Sequence, residues 1–229
     1  MAALTDFFAT TDAVGRFVAL LLLAMSVSAW VVILWKARSL RRAAADIRLA
    51  IPAFWDAPGL AEGRTRLEAM DRERLLLPLL DAATESAQPG TLQAQAQVGS
   101  QLTRRLRDAL HLGLRQLQAG QVLLASVGST APFIGLFGTV WGIYHALAAI
   151  GEGGNFTIDK IAGPVGESLV MTAAGLAVAI PAVLAYNLFG KWVAQTEAEL
   201  EGFAHDLREM TLDTQPGTGR PGNDATRAA

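Results

Sequence analysis

From Ile161 to Gly190 the chain runs for thirty residues, IAGPVGESLVMTAAGLAVAIPAVLAYNLFG, with a single charged side chain, Glu167. About 20 helical residues suffice to cross a hydrocarbon core ~30 Å thick. A segment placed there must be helical, because lipid offers its backbone no hydrogen-bond partner. Two further stretches have the same character: Phe17 to Trp35, and a stretch without Lys, Arg, Asp or Glu from Gln116 to Gly151 with its apolar body from Val122 to Ile150. The predicted fold is an all-α membrane protein with three transmembrane helices, the second and third long enough to continue into the cytoplasm.

Composition agrees, since 52% hydrophobic and 17% charged residues lie outside the range of soluble domains. A net charge of −2 with no sustained basic surface excludes nucleic acid as a partner. The chain has no cysteine, which removes disulfides and Cys-type zinc sites. Asp6 and Asp12 precede the first basic residue, Arg16, the reverse of a cleavable signal, so the first apolar segment is expected to remain in the mature protein.

Orientation follows from the basic residues, which favour short cytoplasmic segments. Thirteen of nineteen Lys and Arg lie between Lys36 and Arg115, four follow the third span, and only Arg16 and Lys160 fall elsewhere. The expected layout is a periplasmic N-terminus (1–16), a first span (17–35), a cytoplasmic helical domain (36–121), a second span (122–150), a periplasmic loop (151–161), a third span (162–190), a cytoplasmic helix (191–213) and a disordered tail (214–229).

Pro and Gly predict helix breaks at Trp55–Asp56–Ala57–Pro58–Gly59 and at Gln88–Pro89–Gly90. Between them and the second span, Leu102, Leu106, Ala109, Gly113 and Leu117 recur at helical spacing, which predicts one helix continuous with that span. Beyond the third span, Leu200, Phe203, Leu207 and Met210 alternate by three and four. Such a stripe fits either association with another copy or packing on the chain's own helices.

Among residues able to carry chemistry, Glu167 stands first. An ionised carboxylate in hydrocarbon costs about 3 kcal/mol or more, so it must be neutralised, paired or exposed to a water path. The bland reading is a carboxylate at a helix start just after Pro164, favoured by the helix dipole. In the second span Gly135, Gly138 and Gly142 sit among bulky groups, and the last two have the spacing that lets another helix approach closely. Thr139 between them either bonds its own backbone or faces a polar path. The third span carries Thr172 and a run of small residues that includes Gly175, with Pro181 expected to bend the helix. On an ideal helix Met171, Ala174, Val178 and Pro181 share the face of Glu167, whereas Thr172 lies on the flank, so a path using both needs adjacent subunits. His111, His145 and His205 are too scattered for a metal set, and no nucleotide-binding loop is present. No cofactor or metal is expected, and His145 with Ser168 lacks the accompaniments of a hydrolase dyad.

The segments STAPFIGLFGTVWGIYHALAAIG and AGPVGESLVMTAAGLAVAIPAVLAYN closely resemble the two pore-helix signatures of the ExbB/TolQ/MotA proton-channel family. The wording TAPF and GPVGES leans towards its ExbB branch, while GLFGTVWGI is shared with TolQ, and MotA differs by a fourth span and greater length. The resemblance implies a non-enzymatic inner-membrane motor subunit. It would form a homopentamer in membrane lipid, enclose the helices of an ExbD-like single-span subunit, and drive a TonB-like energy transducer for iron-siderophore uptake through the outer membrane. By position in the motif, Glu167 matches the family's pore glutamate and Thr139 and Thr172 its pore-lining threonines, and Pro181 and Asn187 also fit.

Overall fold

A computed structural model describes residues 12–85, 97–153 and 158–213. They form six helices, with no strand among them. These are α1 (Ala13–Trp55), α2 (Leu60–Met70), α3 (Leu77–Thr84), α4 (Val98–Gln118), α5 (Gln121–Gly153) and α6 (Ile158–Asp213). Three of them, α1, α5 and α6, are long and apolar enough to cross a membrane, which bears out the all-helical, three-span prediction. The expected break at Gln88–Pro89–Gly90 and the tail from Thr214 lie outside the described residues.

The chain divides into two compact units, Met1–Arg38 with Ala119–Lys191 and Ser39–Gln118 with Trp192–Ala229. In the first, α5 and α6 meet through glycine. A Cβ on Gly135 would lie 2.6 Å from the Met171 carbonyl oxygen, and one on Gly175 would lie 2.6 Å from that of Ala131. Backbone therefore rests on backbone, the close approach that small residues permit in lipid. Val18 of α1 closes over Gly138, and Leu124, Val127, Ala131, Met171, Ala179 and Ala182 are buried along the same seams. Large apolar side chains such as Phe17, Leu20, Leu34, Phe133, Val140, Ile180 and Leu184 face outward, as suits a surface bathed in hydrocarbon.

In the second unit the core is built from Leu40, Ala43, Ile47, Ala50 and Phe54 of α1, Leu102 and Leu106 of α4, and Leu200, Phe203 and Leu207 of α6. Phe54 meets Phe203 edge to face at 5.4 Å between ring centroids, and Gly63 of α2 abuts the Phe54 ring. The stripe on α6 is thus consumed within the chain, so it is not itself evidence for association with another copy. Asp71, buried, ends α2 and starts α3: its two carboxylate oxygens accept from the backbone N–H groups of Leu75, Leu76 and Leu77 at 2.8–2.9 Å. This satisfies donors that a helix start leaves orphaned.

Two expectations are corrected in detail. The break after Trp55 falls where Pro58 and Gly59 foretell it, and α1 is one 43-residue helix up to that point. The helical path into the second span, however, is not continuous, because α4 and α5 are separated at Ala119–Gly120. Gly120 has φ +83°, a left-handed conformation that glycine adopts freely, and the Val32 side chain would lie 2.9 Å from any Cβ there. The helix of the third span, α6, also begins earlier than Pro164 suggests, at Ile158, and carries Pro164 and Pro181 inside it.

Candidate functional site

Where α5 crosses α6, one turn from the Gly135–Gly175 contact, the hydroxyls of Thr139 and Thr172 meet. Thr139 is buried, with its hydroxyl 3.1 Å from the carbonyl oxygens of both Gly135 and Ser168. Thr172 Oγ1 also stands 3.5 Å from the Gly135 carbonyl. Each hydroxyl has one proton to donate. Two protons therefore serve two carbonyls and the contact between the hydroxyls, and at any moment one of these three goes without a donated proton. The sequence offered Thr139 either its own backbone or a polar path. The structure gives it its own backbone, the facing helix and Thr172 together.

Ser168 is buried beside Gly142 and donates to the Pro164 carbonyl at 2.7 Å, filling the turn around that proline. Among the described residues no hydrogen bond joins it to His145, whose side chain is exposed. No group of three His, Cys, Asp or Glu among the described residues is placed to hold a metal ion.

Glu167 lies nine residues inside α6, about 14 Å from the helix start at 1.5 Å per residue. It is therefore beyond the first turn, where a helix dipole acts on a carboxylate. Its side chain is exposed in the single chain and forms no hydrogen bond or ion pair with another described residue. At about 100° per residue, Glu167 and Thr172 point about 140° apart, on either side of the buried stripe of Ser168, Met171 and Gly175. Of the residues sharing the Glu167 face, Met171 is buried, packed on Gly138, while Ala174, Val178 and Pro181 are half-buried. Asn187 is exposed. One chain thus joins Thr139 to Thr172 and leaves Glu167 apart from them.

A further contact had no signal in the sequence. Asp12 accepts from the Trp141 indole at 2.6 Å through one oxygen and from the Gly15 N–H at 2.9 Å through the other. It thereby caps the start of α1 and ties it to α5. Burial, the largest single influence on Asp12, raises its pKa. The bonds from Trp141 and Gly15, the charge of His145 and the Val14 N–H together outweigh burial, and hold the carboxyl below its ordinary value.

Comparison with known proteins identifies the family. The model of the MotA/TolQ/ExbB proton channel family matches residues 77–202. The biopolymer transport protein ExbB of Xanthomonas campestris is 42% identical over 212 residues, covering 86% of this chain and 81% of that protein. The ExbB of Neisseria meningitidis is 38% identical, covering 87% of this chain and 92% of its own. The Tol-Pal system protein TolQ of Haemophilus influenzae is 30% identical, covering 88% and 90%. With its three apolar helices and paired α5 and α6 signatures, the chain is a membrane protein that belongs to the MotA/TolQ/ExbB proton channel family.

Proposed function

We propose that this chain is an ExbB-type motor subunit of the bacterial inner membrane. It acts as a homopentamer with its N-terminus periplasmic and its C-terminus cytoplasmic, around an ExbD-like subunit, and energises a TonB-like transducer. The greater similarity to ExbB relatives than to TolQ favours this branch. The observation that carries the mechanism is Glu167 itself, a carboxyl beyond the first turn of α6, exposed in the single chain, with no hydrogen bond or ion pair among the described residues and facing away from its own chain's hydroxyl pair. A group so placed needs another subunit to complete its surroundings. Ionised, it favours water or an opposing partner; protonated, it tolerates an apolar wall, so each proton transfer changes which arrangement of subunits is lowest in free energy. Inward passage of a proton releases about 2.3 kcal/mol per 100 mV, and obligatory coupling turns that into rotation. Thr139 and Thr172 assist hydration along the path, and Gly135, Gly138, Gly142, Gly175, Pro181 and Asn187 shape its wall.

The test is growth on an iron chelate in a host lacking its own ExbB. Glu167→Gln, which keeps size and hydrogen-bonding capacity, should abolish growth while membrane insertion and oligomer mass stay intact. Wild-type growth would instead identify a passive scaffold. Thr172→Val should weaken growth less. Rescue of a host lacking TolQ, without rescue of one lacking ExbB, would move the chain to the Tol-Pal system.

A further inference from the structure

In the second unit, a groove of about 360 Å³ runs between α1 and α6. Arg41, Ala44 and Arg48 line one side, and Trp192, Gln195 and Glu199 the other. The Arg41 guanidinium lies over the Trp192 indole, 5.7 Å from the ring centroid. A cation–π contact of this kind engages the charge of the guanidinium and leaves its N–H donors available to a phosphate. Among the described residues Arg41 forms no ion pair, and Arg48 uses only Nε, on the Ala44 carbonyl at 3.1 Å. The small Ala44 leaves the space between the two arginines open.

The position along each helix matters as much as the chemistry. Arg41 follows the first apolar run by six residues, about 9 Å of helix, and Trp192 comes directly after the last charge-sparse stretch. Tryptophan and arginine at the ends of spans occupy the headgroup layer. Two arginines against one carboxylate, Glu199, leave one positive charge to be met by a ligand.

We propose that this groove holds the headgroup of an anionic glycerophospholipid of the phosphatidylglycerol class. The phosphodiester lies on Arg41 and Arg48, and the headgroup hydroxyls donate to Glu199. The headgroup carries one negative charge and so balances the groove. The inference goes beyond proton conduction, and requires only that both helices leave lipid near Arg38 and Lys191.

The experiment is native mass spectrometry of the full-length protein, delipidated in detergent and offered equal amounts of dioleoyl phosphatidylglycerol, phosphatidylethanolamine and phosphatidylcholine. Phosphatidylglycerol should be retained preferentially. The double variant Arg41→Gln/Arg48→Gln should lower its occupancy about tenfold, as expected for losing charge-assisted bonds. Arg38→Gln/Arg42→Gln, the same charge change outside the groove, should leave occupancy within about twofold, and millimolar glycerol phosphate should not displace the lipid. Equal retention of the zwitterionic lipids, equal loss in the control variant, or displacement by glycerol phosphate would overturn the proposal. Should the first variant change oligomer mass, Trp192→Leu removes the platform instead, and unchanged occupancy there would also overturn it.

Discussion

Thr139 of α5 and Thr172 of α6 hold their hydroxyls against each other, 33 residues apart in sequence, with the Gly135 and Ser168 carbonyls beside them. Both carbonyls already belong to helices, so the hydroxyls add second bonds to them and do not rescue orphaned groups. This contact adds specificity to a crossing whose closeness comes from glycine.

Removing either hydroxyl should be mild and non-additive. Thr139→Val should cost about 1 kcal/mol and Thr172→Val somewhat less. The double variant should fall short of their sum by about 0.5–1 kcal/mol, because the second substitution removes a bond already lost. A double-mutant cycle on detergent unfolding measures this; simple addition would show the hydroxyls to be independent.

Gly175→Ala should separate α5 from α6. Its methyl would sit 2.6 Å from the Ala131 carbonyl oxygen, a backbone atom that cannot rotate aside. Overpacking of this kind costs about 1–3 kcal/mol, read as reduced resistance to unfolding and lower membrane abundance. Gly190→Ala, with nothing within 4 Å of its Cβ, is the control and should change neither.

Asp12→Ala should loosen the start of α1 by about 1 kcal/mol from the cap alone, and free the Trp141 indole. The pH dependence follows from the direction of the shift. A carboxyl held below its ordinary value stabilises the fold above the unfolded pKa, and loses that contribution as pH falls through the depressed folded value. Tryptophan fluorescence should therefore be steady across neutral pH and change only in strong acid. In Asp12→Asn this acid step should vanish.

Asp71→Ala should cost about 1–3 kcal/mol, since three backbone N–H groups lose their acceptor at a buried turn. Amide hydrogen exchange at Leu75, Leu76 and Leu77 should accelerate. Unchanged protection would mean that water replaces the carboxylate without loss.

What the sequence reveals is mostly what is local. Pro58 and Gly59 announce the end of α1 because both act on the backbone at their own positions. The spacing of Gly138 and Gly142 announces a close helix neighbour, although its identity, Met171 and Ser168 of α6, needs the fold. Gly120 gives no such notice: a lone glycine in a helical pattern is tolerated, and neither its left-handed φ nor the nearness of Val32 can be read from its position. Asp12 reads as an acid ahead of a span, and its bond to Trp141 joins residues 129 positions apart, beyond any periodicity. The α6 stripe of Leu200, Phe203 and Leu207 was legible as a stripe, but whether it faced its own chain or another was decided by Phe54. For Glu167, the helix start at Ile158 puts the carboxyl beyond the first turn, which counting from Pro164 does not give.

Main chain touching main chain at Gly135 and Gly175 leaves no torsion angles at that point through which strain could dissipate. Side-chain contacts yield by hopping between rotamers; two peptide planes in contact can only slide or part. In the ring proposed for this chain, displacement provoked by a passing charge would therefore be taken up where subunits adjoin, with each α5–α6 pair travelling as a single piece.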